Sequence, residues 1–124
     1  MAMKQIEIKT HPVFTHYAAD VDGNIYSVKF NKIREHIQSP HGRGYLHFTA
    51  TQSGNRKSYL SHRFVWECFY GMIPDGLQIN HIDTNKHNNK LTNLQLVSQW
   101  ENMQHGKQMG ILYGAASPNY NRIY

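Results

Sequence analysis

A single cysteine, Cys68, stands among 124 residues. One thiol cannot form an internal disulfide, nor can it build a zinc finger on paired cysteines. A chain without disulfides suits a reducing cytosol. Long apolar runs are missing as well. The N-terminus, MAMKQIEIKT, offers neither the core of a signal peptide nor a membrane span, so no membrane association is expected. Negative charge is scarce. Eight acidic residues against thirteen Lys and Arg leave a formal charge of +5, which points to an anionic partner such as nucleic acid or anionic lipid. With 40% hydrophobic and 17% charged residues, the chain lacks the profile of a disordered segment. Its length suits one domain with one modest core. Histidine is what the chain has in quantity, nine in all, and its meaning depends on where each one falls.

The pattern along the chain is that of an α+β protein. Tyr17 to Val28 carries Asp22-Gly23-Asn24 between two β-prone stretches, which predicts a hairpin. His36 to Arg43 is polar, with Pro40 and Gly42, and reads as a loop. From Tyr45, the residues Leu46, Phe48 and Ala50 alternate with polar ones, the period of a half-buried strand. Ser53-Gly54-Asn55 turns the chain into a partner strand, Lys57 to Leu60. The period then changes. Phe64, Val65, Cys68 and Phe69 recur at helical spacing, so a short helix is expected, ending at Gly71 and Pro74. Cys68 falls on its apolar face and is assigned to the core.

Residues 77–110 read as strand, loop, strand and helix. Leu77 to Ile82 and Leu94 to Val97 are the strands. Asp83 to Lys90, rich in Asp and Asn, is the loop. Ser98 and Glu101 form a capping box for a helix from about residue 99 to Met109, stopping at Gly110. Asn80 and His81 end the first strand. Asn102 and His105 lie three apart, on one face of the helix. Asn80 can meet that face, and a metal can sit between strand and helix. His81, alternating with Asn80, then points away toward a water at a scissile phosphorus. Asn93 is placed to hydrogen-bond the imidazole. Neutral histidine can take a proton from water near neutral pH, and amide carbonyls suit a hard cation such as Mg²⁺. By spacing alone, each feature also has an ordinary reading: a solvent-facing histidine, a turn-forming asparagine run, a polar helix face.

The string from Ile79 through Asn80-His81-Ile82-Asp83-Thr84-Asn85-Lys86-His87-Asn88-Asn89, with Leu91-Thr92-Asn93-Leu94 and Glu101-Asn102, resembles the HNH homing endonucleases of phages and introns. Gly23 to Ser27, Gly44-Tyr45 and Ser61 to Trp66 also resemble the N-terminal region of that family, so the likeness covers roughly residues 14–110. The resemblance implies a ββα-metal (His-Me finger) motif. It implies hydrolysis of double-stranded DNA with one divalent metal ion, Mg²⁺ or Mn²⁺. On it, residues 1–75 form a β-rich, DNA-contacting region with a short helix, 76–110 the nuclease motif, and 111–124 a C-terminal tail. His81 matches the general base and Asn93 the asparagine that supports the motif and positions that base. Asn102 matches the helix metal ligand. Asn80 takes the position before the histidine, an Asp ligand in many relatives, and His105 a position that is a ligand in some branches. Asp83 matches a loop-stabilising position. Thr84 replaces the usual glycine, so a locally different turn is expected.

Arg43, Arg56, Lys57, Arg63, Lys86, Lys90 and Lys107 are candidates for phosphate contacts. Arg56-Lys57 and the strand at Tyr45–Thr51 could enter a groove as a β-ribbon, and Tyr120, Arg122 and Tyr124 could form a minor-groove arm. Longer relatives continue into a helical DNA-reading module, so sequence specificity is expected to be modest, or to come from the N-terminal sheet and the short tail. A monomer is favoured. Two alternatives stand beside the nuclease. A catalytically silent HNH-fold DNA-binding protein would explain the neutral Asn80. A structural Zn²⁺ protein is disfavoured by the lack of cysteine pairs and of a His-x₃-His spacing.

Overall fold

The computed structural model describes residues 7–40, 42–98 and Trp100. The expected helix from about residue 99, with Asn102, His105 and Lys107, and the tail at 111–124 fall outside the described residues, apart from a helical Trp100. Within them the elements are β1 (Ile8–Thr10), β2 (Tyr17–Asp20), β3 (Ile25–Ser27), β4 (Arg34–His36), β5 (Ser39–Pro40), β6 (Leu46–Gln52), β7 (Asn55–Leu60), α1 (Ser61–Tyr70), β8 (Leu77–His81) and β9 (Leu94–Ser98). They make three antiparallel sheets in the orders β1-β2-β3-β4, β5-β6-β7 and β8-β9. The fold is α+β, as the sequence pattern indicates.

Local chemistry accounts for most of these elements. Asp20 sets the β2–β3 turn. Its carboxylate accepts the amides of Asp22 and Asn24, the Asn24 side chain and the Tyr26 hydroxyl. Burial pushes the Tyr26 phenol up, and the Asp20 bond adds to the push, to about 12. Between β6 and β7, Ser53 and Gly54 both have positive φ, 53° and 80°, which is the two-residue turn matched to strand twist. Gly71 ends α1 at φ 92°, its amide bonded to the Glu67 carbonyl.

Helix α1 has no side-chain N-cap, so packing holds it. Its buried face, with Phe64 and Val65, packs against β1, β2, β6, β7 and β8. The Phe64 ring stands edge-on to Phe48 and Tyr59, at 4.8 and 5.3 Å. Cys68 is buried in this core, where burial pushes its thiol far above the ordinary range, as an inert cysteine should be. Glu67 is also buried. It accepts from His11 Nε2 at 2.7 Å and from the Tyr59 hydroxyl, while His11 Nδ1 accepts the amides of Val13 and Phe14. This network ties the N-terminal segment to the helix.

Two expectations need correction. Residues 36–43 are not wholly loop. His36 closes β4, and Ser39-Pro40 pairs with His47 and Leu46. Proline is tolerated there because β5 is an edge strand with no further neighbour to receive an N–H. Thr84 does not divert its turn. It takes φ +65°, the left-handed conformation that glycine would adopt, with its amide bonded to the His81 carbonyl.

Candidate active site

The β8–β9 hairpin carries the candidate chemistry. The strands pair from Leu77↔Ser98 to His81↔Leu94, and the Ile82 amide then bonds to the Asn93 carbonyl. Beyond that point the chain closes on its own side chains. Asp83 accepts the Asn85 amide, Asn85 the His87 amide and Asn88 the Lys90 amide. These are successive Asx turns, the reason this loop is built of Asp and Asn. Asp83 also accepts Asn88 Nδ2 at 2.7 Å and Asn93 Nδ2 at 2.9 Å, so its carboxylate is engaged within the loop. Burial pushes the Asp83 pKa up, but these bonds together prevail and hold it below its ordinary value.

Asn93 braces this loop. Its Oδ1 accepts the Asp83 amide at 3.0 Å, and its Nδ2 donates to Asp83 and to the Asn88 carbonyl, 2.8 Å away. That corrects the expected bond from Asn93 to the imidazole. Asn93 sits opposite Ile82, one step past His81, so its side chain turns into the loop. The ring partner is Asn89, whose Oδ1 lies 2.7 Å from His81 Nε2.

His81 is fully buried. Its ring packs 5.0 Å from His62 and 6.1 Å from Tyr45, which itself stacks on His62. Burial depresses the His81 pKa; the Asn89 bond and the Asp83 charge act the other way, and Lys86 and His87 add to the depression. His62 is pushed far down by burial, then by His81 and Arg63. Both rings are therefore neutral at physiological pH. An amide oxygen only accepts, so His81 Nε2 carries the proton and Nδ1 carries the lone pair. Nδ1 has no hydrogen-bond partner among the described residues. This is the arrangement of a base with one nitrogen anchored and the other ready to accept.

The β2–β3 turn holds Asn89 in place. The Leu91 amide bonds to the Val21 carbonyl at 2.8 Å. Gly23, at φ +91°, presses so closely that a Cβ there would lie 2.7 Å from the Asn89 carbonyl oxygen. Sequence spacing does not bring Asn89, His62 or Tyr45 to the candidate base. The Asn88-Asn89 pair was the available signal, but spacing does not say which asparagine of the loop reaches the ring.

Asn80 is also fully buried. Its Nδ2 faces Gln95 Oε1 at 3.4 Å, and its Oδ1 has no partner among the described residues. A buried, unpartnered amide oxygen beside the candidate base fits a hard divalent cation as one neutral ligand. Among the described residues, no group of three or more His, Cys, Asp or Glu could hold a metal by itself.

The candidate phosphate-binding residues divide. Lys86 donates to the Arg43 carbonyl at 2.8 Å and lies over the Tyr45 ring, so Lys86 and Arg43 meet beside His81. Lys57 and Arg63 instead line a shallow depression of about 260 Å³ with Met72 and Ile73. Arg56 and Lys90 are exposed, on β7 and on the β8–β9 loop.

A buried neutral histidine at a strand end, an asparagine-braced loop and a returning strand define the hairpin of HNH-type proteins. The family model for HNH endonucleases matches residues 59–104. The chain is 39% identical over 92 residues to YosQ, a product of the SPbeta prophage of Bacillus subtilis assigned to the HNH homing endonucleases, covering 74% of this chain and 53% of that protein. It is 35% identical over 97 residues to the DNA endonuclease I-HmuI of Bacillus phage SP01, covering 78% and 55%. A solved structure of I-HmuI, described as DNA binding and cleavage by an HNH homing endonuclease, superposes with a TM-score of 0.74 at 31% identity, covering 86% of this chain and 60% of that one. The chain belongs to the HNH endonuclease family. It spans about half the length of the curated relatives it matches. No helix among the described residues is long and apolar enough to cross a membrane.

Proposed function

We propose that the chain is a metal-dependent endonuclease of the phage homing type that hydrolyses phosphodiester bonds of double-stranded DNA. His81 is its general base. One observation carries the reading: His81 is neutral, its Nε2 is bonded to Asn89, and its Nδ1 has no partner among the described residues. In the reaction Nδ1 takes a proton from water as the water oxygen attacks phosphorus. The bond from phosphorus to the leaving ester oxygen breaks, and that oxygen departs with the electron pair. Positioned general-base catalysis is worth about 10²–10⁴ in rate. Asn93 and Asn89 hold the histidine's setting, Asn93 through the loop and Asn89 through the ring.

Asn80, Asn102 and His105 are the proposed ligands of one Mg²⁺ or Mn²⁺. When bound, the ion supplies charge neutralisation at the phosphate and at the leaving oxygen. Arg43, Arg56, Lys57, Arg63, Lys86 and Lys90 are assigned to the DNA backbone, within an N-terminal region (1–75) that contacts DNA and a nuclease motif at 76–110. The protein acts as a monomer in the cytoplasm of an infected bacterial host.

Plasmid nicking with added metal tests this reading. Wild type should cut, His81→Ala should lose at least about 100-fold, and EDTA should abolish cutting. The neutral ligand set predicts a need for roughly millimolar metal and a preference for Mn²⁺. Equal cutting by wild type and His81→Ala would remove the assigned base. The neutral Asn80 favours one alternative, a silent DNA-binding protein, which would bind DNA in a metal-independent, salt-sensitive way and would not cleave it, whatever metal is added.

A further inference from the structure

The connection between β3 and β4 breaks the rules of turn chemistry. The Lys32 amide bonds to the Lys29 carbonyl at 2.9 Å, enclosing Phe30 and Asn31 at φ 54° and 59°. Two successive left-handed residues call for Asn-Gly. Asn31 suits such a position, but a phenylalanine there is strained. The side chain gains nothing from burial in return, being 91% exposed. Strain of this kind is found where function keeps it.

The surroundings indicate what the ring meets. Ser27, Lys29, Phe30, Lys32 and Arg34 line a shallow depression of about 420 Å³. Three of the five are cationic and none is acidic. An exposed aromatic face among cations complements a polyanion that also offers flat apolar faces, which is nucleic acid. A rigid two-residue turn presents the ring at the tip of a hairpin, as a wedge requires.

We propose that the β3–β4 tip deforms DNA. Phe30 stacks on a base at an opened step, while Lys29, Lys32 and Arg34 hold the flanking phosphates. The inference rests on the DNA-cleaving reading above. It adds a contact outside the nuclease hairpin, at residues that reading does not use.

The test is binding of the full chain to a mixed-sequence 30-base-pair duplex and to the same duplex with one unpaired base, across a salt series. Wild type should bind the duplex with the unpaired base more tightly. Phe30→Asn keeps a residue that tolerates the left-handed turn, so the variant should melt no lower than wild type. It should lose roughly 10- to 100-fold in affinity for the opened duplex and lose the discrimination, with the salt slope unchanged. Lys32→Gln or Arg34→Gln should keep the discrimination and lower the slope of log K against log salt by about 0.9 each. Equal binding and discrimination by wild type and Phe30→Asn would overturn this inference alone, as would a Phe30 that serves only to dock another protein. Failure of wild type to bind either duplex at any salt would overturn the DNA-cleaving reading and this inference with it.

Discussion

The sharpest test of the site is Asn89. In the wild type its Oδ1 accepts the proton of His81 Nε2, which leaves Nδ1 as the proposed base. Asn89→Ala removes the acceptor and strands a buried N–H at a cost of about 1–3 kcal/mol. The ring can then shift its proton to Nδ1 or rotate, and either change removes the unpartnered lone pair on Nδ1. The productive form then loses population by the same free energy. At about 1.4 kcal/mol per tenfold, kcat should fall roughly 5- to 150-fold, with little change in KM. Asn89→Asp separates tautomer control from bulk structural damage. A carboxylate still accepts from Nε2, so the tautomer survives, but its charge stabilises imidazolium and raises the His81 pKa. In wild type, burial holds that pKa below 6.5, so the base is present across neutral pH and activity falls only at lower pH. In Asn89→Asp the acid limb of the profile should move to higher pH. Plasmid nicking under single-turnover conditions from pH 5 to 9 reads both effects, with thermal melts as the folding control. Wild-type rates in Asn89→Ala, or an unmoved acid limb in Asn89→Asp, would refute the reasoning.

Three further outcomes are expected. Gly23→Ala sets a Cβ 2.7 Å from the Asn89 carbonyl oxygen at a φ of +91°; urea unfolding should show a loss of roughly 2–4 kcal/mol, and cleavage should fall more than the remaining folded fraction explains. Thr84→Gly relieves a β-branched residue at φ +65°, a gain of roughly 1–2 kcal/mol less about 0.5–1 for glycine's greater freedom when unfolded; the urea midpoint should rise with an unchanged m-value. Burial pushes the Glu67 carboxyl up, but its bonds to His11 and Tyr59 prevail and hold it below its ordinary value. Its contribution is therefore complete above the unfolded carboxylate pKa of about 4.3 and is lost as pH falls through the lower folded value. His11→Ala should cost about 1.5–3 kcal/mol at neutral pH and move acid unfolding, followed by circular dichroism, to higher pH; an unmoved acid midpoint would show that the bond does not hold Glu67 down.

Patterns set by near neighbours were legible in the sequence. The alternation at Leu46, Phe48 and Ala50 gives β6, the Ser53-Gly54 pair gives the turn into β7, and Gly71 marks the end of α1. The motif order placed His81 at the end of β8 and Asn93 just before β9. What escaped depends on contacts between distant segments. Asn89 rather than Asn93 meets the ring because the β2–β3 turn, more than sixty residues upstream, supports that part of the loop. The depressed pKa of His81 arises from burial beside Tyr45 and His62, which no spacing within the motif reveals. Strands β4 and β5 are too short to show a period, and Phe30 occupies a turn that its residue type argues against.

The contact between Gly23 and Asn89 also bears on how such nucleases can be recombined. A hairpin moved alone into a new protein, cut at residue 76, would leave behind the backbone that sets its histidine's partner. The smallest portable unit therefore begins ahead of Tyr17 and takes the β2–β3 turn with it. A chimera joined inside that span would keep every residue of the motif and still misplace the base. One joined upstream of it would carry the turn, the loop and the proposed base over together.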